Sequence, residues 1–542
     1  MHIDRAWLRL LGVLGILGAT SLVAAGKQDN RAVEIALAVQ QIMAGKLPSH
    51  LTAPVWNDVR AFYSQRNGSP AWVADRNLAK ADRALQLLRA APDDGLVAAD
   101  YGEPYFARSV GANKQAEQGA SHAHLADLDV RLTASVLALA RDIGVGKSRP
   151  ETLDRRWKNQ RTPPDLAGTL NQAVDGDLAG WISSIRPLHP EYASLRKALA
   201  DLYAIQKKGA WGRIPAASLK PGDSGPAVEA LRQRLAATGF LTRDRTSGSE
   251  VPPAGYDQTA ETAVRAFQDH HGIMPTGIAD ALTVKAMNVP IGAQIQQVAI
   301  NLERWRWAPA DFGTRHILVN IPAYRLFARE NGQSVMTMRV VVGKAAASLR
   351  TPVFSAPMTS VIFSPYWNIP DTIAAGETAP AVVKDPAYLA KNNIDILRIT
   401  TSGAEPVDPS SVDWKNPAAI RELAFRQRPG AQNALGHVKF LLENPFNIYL
   451  HDTPADNLFA RAGRALSHGC IRLEEPEALA KYVLRDFPEW DDEEIRAAEH
   501  AGVEKPVKLK EPIPVHIVYF TAWVDEGGGL NLYPDVYRYD KK

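Results

Sequence analysis

Two short segments, YLHDTP at residues 449–454 and SHGCIR at residues 467–472, bring a histidine into the sequence neighbourhood of the single cysteine of the chain. A thiol attacks acyl groups as its thiolate, and an ordinary thiol pKa of about 8.5 leaves little thiolate at neutral pH. A neighbouring imidazole removes this obstacle by taking the proton and later giving it to a leaving amine. The pattern therefore predicts that Cys470 is a catalytic nucleophile.

Two histidines compete for the role of general base. His451 ends a separate strand-like segment, whereas His468 lies two residues before Cys470 and is followed by a glycine, which indicates a tight turn. We therefore expect His451 to act as the base. We expect His468, together with Ser467, to shape the loop and the substrate pocket.

The turn around the cysteine offers two further groups. Gly469 lets the backbone approach a substrate closely, and adjacent N–H groups at such a turn can hold an oxyanion. Arg472 carries a forked cation that suits a substrate carboxylate. A salt bridge between Arg472 and Glu474 or Glu475 is an equally good use of that cation. We expect Gly469 in the catalytic centre and Arg472 on the substrate.

Two alternatives to catalysis involve the same residues. The first is an inert, buried cysteine that behaves as a small apolar side chain. The second is a zinc site made of Cys470, His451 and His468, but their spacing does not match structural zinc patterns and no fourth ligand is evident. We expect neither a metal nor another cofactor.

The sequence around the two motifs is typical of short β-strands bounded by glycine and proline. These strand-like segments are residues 317–321, 324–327, 335–342, 358–363, 438–442 and 448–451. An irregular stretch at residues 370–437 interrupts them, and insertions of that length are usually functional, often lids. We expect a mainly β catalytic domain at residues 312–505 with a capping insertion at 370–437. A tail at residues 506–542 should pack back on the body.

A different module precedes the β domain. Asp223-Ser224-Gly225-Pro226 is typical of a helix start, with a capping side chain and a proline in the first turn. Apolar residues then repeat at helical spacing on both sides of a polar loop at residues 243–253. From this pattern alone we expect a small linker domain of three helices.

Residues 30–210 have mainly helical periodicity, for example at 125–143, and no polar cluster with catalytic spacing. We expect a helical scaffold domain there. Residues 1–25 have the pattern of a secretory signal: a short basic region, an uncharged run and small residues at the end. We expect cleavage after Ala25, with an uncleaved membrane anchor as the alternative.

Length and composition agree with a soluble protein of several domains. A chain of 542 residues is too long for one ordinary hydrophobic core, so we expect three or four domains. The net charge of +3 is spread over many residues of both signs, which gives no electrostatic case for a nucleic-acid partner. Export also places the chain in an oxidising compartment, where a lone cysteine needs a functional explanation.

Two sets of residues resemble known families. The strings GDSGPAVEALRQRLAATGF (222–240) and YDQTAETAVRAFQDHHGIMPTGIADALTVKAM (256–287) resemble the peptidoglycan-binding type 1 module. His451, fifteen intervening residues, and then SHGC, an aliphatic residue and Arg472 resemble the L,D-transpeptidase catalytic signature. The resemblance implies a multidomain α+β protein with a peptidoglycan-binding domain at residues 215–290. Arg472 stands where many members have asparagine.

The segments RQRPGAQNALGHVKF (426–440) and NPFNIYLHDTP (444–454) are similar to those of the large Gram-negative periplasmic L,D-transpeptidases. This resemblance implies a periplasmic enzyme of cell-wall biogenesis. Cys470 would attack the carbonyl at the L-centre of diaminopimelate in a tetrapeptide stem and release D-alanine. His451 would serve as base and then acid, oriented by a backbone carbonyl.

The resemblance also implies how the thioester is resolved. The side-chain amine of a second diaminopimelate would take the acyl group and give a 3→3 cross-link between stem peptides, and carbapenems would acylate the same thiol. The alternatives are an L,D-carboxypeptidase, a transferase that anchors proteins to peptidoglycan, and a non-catalytic wall-binding scaffold. Peptidoglycan stems are the expected partners, and other enzymes of cell-wall synthesis are further candidates.

Overall fold

The computed structural model describes residues 19–49, 51–75, 77–115, 120–158, 161–241 and 255–541. They form two compact units: the described residues of 1–149, 159–208 and 292–310, and those of 150–158, 209–291 and 311–542. The expected multidomain α+β class is confirmed. Most of the expected signal segment lies outside the described residues. No helix in the described part of the chain is long and apolar enough to cross a membrane.

The first unit is helical. Its helices are Ala19–Ala44, Ala53–Gln65, Ala79–Arg89, Glu103–Gln115, His122–Val145, Leu166–Ala173, Leu178–Ile185 and Pro190–Lys207, and the chain returns to it with Ile291–Trp307. The helix His122–Val145 has buried residues on almost every side. A helix that is apolar all round belongs in the centre of a core, and the helices Ala19–Ala44, Ala53–Gln65, Ala79–Arg89, Leu166–Ala173 and Leu178–Ile185 pack against it.

A buried carboxylate on the central helix fixes the loop that follows the helix Ala53–Gln65. Asp129 accepts hydrogen bonds from the N–H groups of Ala71 (2.9 Å), Trp72 (2.7 Å) and Val73 (3.1 Å). The Tyr63 hydroxyl donates a fourth at 2.5 Å. Burial raises the pKa of Asp129, against the effect of these hydrogen bonds. Because these donors occupy the carboxylate in a closed core, we assign it a structural role.

Within the second unit, residues 209–291 contain three helices at Pro226–Ala237, Gln258–His270 and Ala281–Met287, as expected for the small module. The prediction of a capping side chain at the first helix is wrong. Gly225 is its N-cap, at φ +98° and without a side-chain bond, while Asp223 accepts the Lys220 N–H at 2.8 Å. The proline in the first turn is confirmed. The expected polar loop at 243–253 lies outside the described residues.

The residues from 315 to 532 contain fifteen strands in the described part of the chain. They are β1 Arg315–Asn320, β2 Arg325–Glu330, β3 Gln333–Gly343, β4 Phe354–Phe363, β5 Trp367–Ile369, β6 Ile394–Thr400, β7 Gly403–Pro406, β8 Ala424–Gln427, β9 Val438–Leu442, β10 Leu450–His451, β11 Ala465–Ser467, β12 Ile471–Leu473, β13 Lys505–Val518, β14 Ala522–Val524 and β15 Leu530–Leu532. Nine form one sheet in the order β11-β3-β12-β10-β9-β4-β13-β1-β2, and β2 also pairs with β3. This last pairing closes eight of the strands into a ring, while β11 pairs only with β3 and remains at an edge. The helices Pro476–Leu484 and Asp492–Glu499 follow β12.

The segment expected to be a tail is part of this sheet. The strand β13 lies between β4 and β1, where Val515 pairs with Ile317 in parallel register. A domain boundary between residues 505 and 506 would therefore cut a central strand. Only the hairpin of β14 and β15 and the residues after it follow the sheet as a separate C-terminal segment.

The capping insertion is an ordered subdomain rather than an irregular stretch. Four strands form an antiparallel sheet in the order β5-β8-β6-β7, with short helices at Ala379–Lys384, Tyr388–Lys391 and Pro417–Arg421. Ile369, Val382, Leu389, Ile396 and Phe425 are buried together in a core of its own. The prediction of irregular structure was wrong because these strands are only three to seven residues long.

Candidate active site

Strand register brings the two motifs next to each other in the sheet. The strands β10 and β12 are parallel neighbours, and His451 is level with Arg472. Because paired residues of neighbouring strands point to the same face, His451 and Arg472 share a face. Tyr449 and Cys470 lie directly before β10 and β12, the Tyr449 and His451 rings are 5.6 Å apart, and Tyr449 hydrogen-bonds to the Cys470 thiol. The structure therefore brings the base predicted from sequence, on β10, close to the predicted nucleophile, directly before the neighbouring strand β12.

A lysine completes this face from the other side of the histidine. Lys439 on β9 is the antiparallel partner of His451, so His451 lies between Lys439 and Arg472. The Lys439 Nζ also lies 4.0 Å from the centre of the Tyr449 ring. A cation in contact with an aromatic face is stabilised there by the ring electrons. The candidate site therefore contains two cations beside its imidazole.

The Cys470 side chain is partly buried, with its Sγ 3.7 Å from the Asn447 carbonyl oxygen. Burial raises the pKa of its thiol, while hydrogen bonds from Tyr449 and the charges of Lys439 and Arg472 act in the opposite direction. The net effect is a pKa above the usual thiol value. Cys470 is therefore protonated at neutral pH, and it needs a base before it can attack.

The imidazole of His451 is held in a form that can accept a proton. Its residue is 5% exposed, and its Nδ1–H donates to the Asp452 carbonyl oxygen at 2.5 Å. That hydrogen bond leaves Nε2 as the acceptor nitrogen. Burial lowers the pKa of His451 to about 3, and the charges of Arg472 and Lys439 add to this effect. The backbone carbonyl expected to orient the ring is thus supplied by Asp452.

The loop before Cys470 is closed by the Ser467 hydroxyl. This hydroxyl donates to the Cys470 carbonyl oxygen at 2.6 Å and accepts the Gly469 N–H at 3.1 Å. Gly469 has φ +130°, a conformation that L side chains rarely adopt. Ser467 therefore holds the turn in place, and the Gly469 N–H is already engaged. The Cys470 N–H has no acceptor among the described residues.

His468 contacts the capping insertion. Its Nε2 lies 2.6 Å from Oε1 of Glu377, which belongs to the π-helical turn Ala374–Thr378. With that nitrogen engaged by a carboxylate, His468 is poorly suited to take the proton of Cys470. Its position fits the expected role in shaping the loop and joins the loop directly to the cap.

The side chain of Arg472 makes no hydrogen bond or ion pair with any residue in the described part of the chain. The salt bridge considered as an alternative is wrong for Glu474, because that carboxylate pairs with Arg339 at 2.7 Å. The Nε of Arg472 is buried without a partner. A guanidinium with free donors next to a thiol is available to a carboxylate ligand.

Sequence reasoning did not single out Lys439 or assign a role to Tyr449. Lys439 is flanked by buried Val438 and Phe440 in a strand, and a charge at an alternating position marks the opposite face. Tyr449 is two residues before His451 and so faces the same way. Both signals are weak until the partner strands are known. The described residues contain no group of three or more His, Cys, Asp or Glu side chains that could hold a metal ion.

Three family models match the chain in succession. They are described as a "Scaffold domain" at residues 57–199, a "Putative peptidoglycan binding domain" at residues 224–287 and an "L,D-transpeptidase catalytic domain" at residues 314–509. The third match contains both motifs and the whole capping insertion. The second covers the three short helices.

Among curated proteins, the chain is similar to a "Putative L,D-transpeptidase" of Haemophilus influenzae, with 35% identity over 248 residues. That match covers 46% of this chain and 48% of the relative, so the chain spans about half the length of that protein. It is also similar to the "N-acetylmuramoyl-L-alanine amidase CwlM" of Mycobacterium tuberculosis, with 37% identity over 73 residues, 13% of this chain and 18% of that protein.

Among solved structures, the chain is similar to an L,D-transpeptidase (residues 123-326) from Xylanimonas cellulosilytica. The identity is 14%, the match covers 56% of this chain and 98% of that chain, and the TM-score is 0.18, too low to support a conclusion. The family matches are decisive. They confirm the resemblance seen in the sequence: the chain carries the catalytic domain of the L,D-transpeptidase family, preceded by a scaffold domain and a peptidoglycan-binding domain.

Proposed function

We propose that this protein is a peptidoglycan L,D-transpeptidase that forms 3→3 cross-links between stem peptides through a thioester on Cys470. The observation that carries the proposal is the arrangement around β10 and β12. A protonated thiol, a neutral imidazole and an unpaired guanidinium lie together there, on Cys470, His451 and Arg472. The family match supplies the substrate class.

In the acylation step, Nε2 of His451 takes the proton of Cys470 as Sγ bonds to the carbonyl carbon at the L-centre of diaminopimelate. The negative charge moves to the carbonyl oxygen, and the Cys470 N–H is available to hold it. The bond to the terminal D-alanine then breaks, and His451 gives the proton to the leaving amine. One peptide bond becomes one thioester, so the step needs no ATP.

The two cations, Arg472 and Lys439, favour the binding of an anionic substrate. A carboxylate bound beside Arg472 and Lys439 would neutralise part of the charge that lowers the pKa of His451. The imidazole would then become a stronger base when a stem peptide is bound. A substrate without that carboxylate would lose both the ion pair and this effect on the base.

The second step transfers the acyl group to the side-chain amine of another diaminopimelate. Water competes with that amine, and it would turn the enzyme into an L,D-carboxypeptidase. The capping subdomain favours transfer, because its Glu377 reaches His468 in the loop of the nucleophile and helps to exclude water. Attachment of a protein amine to the wall is the other outcome that the same thioester allows.

The remaining domains suit an exported wall enzyme. We propose that residues 1–25 are a signal peptide, that the protein works in the periplasm, and that the module Pro226–Met287 holds it against peptidoglycan. The helical residues 57–199 serve as the scaffold. An uncleaved membrane anchor at the N-terminus is the alternative to the signal peptide.

The test is incubation of the purified protein with tetrapeptide muropeptides, with products separated and identified by mass spectrometry. We expect cross-linked dimers and released D-alanine from the wild type, and neither from Cys470→Ala. Tripeptide and D-alanine without dimers would contradict transpeptidation and support the carboxypeptidase. No products from the wild type would favour a wall-binding scaffold.

A further inference from the structure

A buried threonine outside both motifs holds the loop of the nucleophile. Thr351, 1% exposed, lies in the segment between β3 and β4. Its hydroxyl donates to the Gly469 carbonyl oxygen at 2.6 Å and accepts the Gly343 N–H at 2.8 Å. The hydroxyl has one proton to donate and lone pairs that can accept. It accepts the Gly343 N–H with a lone pair, so its proton is donated to the Gly469 carbonyl. The direction of this carbonyl is therefore fixed from the side of β3.

The direction of that carbonyl also decides where the next N–H points. The peptide group between Gly469 and Cys470 is planar and trans, so its C=O and N–H point in opposite directions. With the carbonyl held by Thr351, the Cys470 N–H points away from Thr351. The neighbouring Gly469 N–H is engaged by Ser467. The Cys470 N–H is then the free donor closest in the chain to Sγ.

A tyrosine from the C-terminal segment holds the threonine in turn. The buried Tyr537 hydroxyl donates to the Gly343 carbonyl oxygen at 2.7 Å and accepts the Thr351 N–H at 3.2 Å. The Tyr537 N–H donates to the Tyr519 hydroxyl at 2.7 Å. Tyr537 therefore ties both ends of the 343–351 segment together. A side chain on Gly343 would meet the Leu349 carbonyl oxygen at 2.1 Å, so the segment folds tightly on itself.

We propose that Thr351 is a positioning residue for acyl transfer, supported by Tyr537. It sets the plane of the Gly469–Cys470 peptide so that the Cys470 N–H can stabilise the oxyanion. This inference rests on the proposed role of Cys470 as the nucleophile. It assigns a catalytic consequence to the C-terminal segment, which contains no residue of either motif.

The consequence is specific to reactions that pass through an oxyanion. Removal of a complete oxyanion donor costs about 10²–10³ in rate. Thr351→Val keeps the shape of the side chain but loses the hydroxyl. The Gly469–Cys470 peptide is then no longer held in one orientation, although its N–H is still present. We therefore expect acylation to slow by roughly 10- to 100-fold. Alkylation of the same thiol by iodoacetamide proceeds at a saturated carbon without an oxyanion and should change by less than about twofold.

The experiment compares both rates in one set of proteins. Intact-protein mass spectrometry gives the rate of acylation by a carbapenem and the rate of alkylation by iodoacetamide for the wild type, Thr351→Val and Thr351→Ser. We expect Thr351→Val to lose acylation selectively. Thr351→Ser should restore it to within about threefold of the wild type, because the serine hydroxyl can make the same two hydrogen bonds.

Equal losses of acylation and alkylation in Thr351→Val would overturn the inference, because they would show a general change at the thiol. Unchanged acylation would overturn it as well. If Thr351→Val does not fold, Tyr537→Phe provides the test, with the same selective loss expected and the same two contrary results. Failure of the wild type to acylate would instead contradict the proposed function, so the two claims can fail separately.

Discussion

Substitution of Arg472 by glutamine tests whether its guanidinium binds the substrate or stabilises the fold. The guanidinium has no hydrogen-bond or ion-pair partner among the described residues, and its Nε is buried without an acceptor. Removal of this charge therefore breaks no hydrogen bond or ion pair among the described residues. An unpaired, partly buried charge also carries a desolvation cost. We expect the free energy of unfolding of Arg472→Gln to stay within about 0.5 kcal/mol of the wild type or to rise.

The effect on catalysis should be much larger than the effect on stability. A hydrogen bond between a guanidinium and a carboxylate contributes about 1.5–3 kcal/mol. Its loss corresponds to roughly a 10- to 150-fold fall in kcat/KM. Arg472 also lowers the pKa of His451, so the substitution should raise that pKa in the free enzyme. The fall in kcat/KM should thus come from binding the substrate carboxylate and not from a weaker base.

The assay measures kcat/KM on a tetrapeptide donor and the denaturant midpoint of each variant. Arg472→Lys should give an intermediate kcat/KM, because it keeps the charge and loses the fork. Arg339→Gln is the matched control: it removes an equal charge from the neighbouring strand, where the arginine already pairs with Glu474. We expect its kcat/KM to stay within about twofold. A destabilised Arg472→Gln with normal kcat/KM would refute the reasoning.

Three further predictions concern other parts of the chain. Asp129→Ala leaves three buried N–H groups without their acceptor and should lower the unfolding free energy by about 3 kcal/mol or more in denaturant titrations; a loss below about 1 kcal/mol would contradict this role. Burial raises the pKa of Glu499 to about 7. Between about pH 4.5 and pH 7 this carboxyl is ionised in the unfolded chain but still largely protonated in the folded protein, so the free energy of unfolding should fall as the pH rises through this range. Glu499→Gln should flatten that part of the pH profile, and an unchanged profile would count against it. Glu377→Ala removes the carboxylate that contacts His468, so more water should reach the thioester and the ratio of tripeptide to dimer should rise. An unchanged ratio would show that this contact does not exclude water.

The features that the sequence alone can indicate are local. Cys470 and His451 stand in two short motifs whose chemistry is complete within a few residues. The strands β1 to β4 are rich in β-branched, aromatic and other apolar residues, and glycine or proline lies near their ends. The strand β13 joins the sheet between β1 and β4, which come from much earlier in the chain, so its place in the sheet depends on contacts that no local pattern shows. The strands of the cap are too short for their period to stand out.

The features that sequence missed are non-local. Lys439 joins the candidate site through the register of β9 with β10. Thr351 reaches Gly469 across 118 residues, and Tyr537 reaches Thr351 across 186. Such contacts depend on which strands become neighbours, and no local pattern encodes that. The salt bridge of Arg472 with Glu474 was a reasonable expectation from their spacing, but Arg339 on β3 takes the carboxylate.

The most direct test of the central claim is the intact mass of the protein after incubation with a carbapenem. If Cys470 is the nucleophile, the wild type gains the mass of one drug molecule, peptide mapping places it on Cys470, and Cys470→Ala gains nothing. His451→Gln should acylate far more slowly, because the thiol has a raised pKa and would have no base. An unmodified wild type, or the same adduct on Cys470→Ala, would contradict the account.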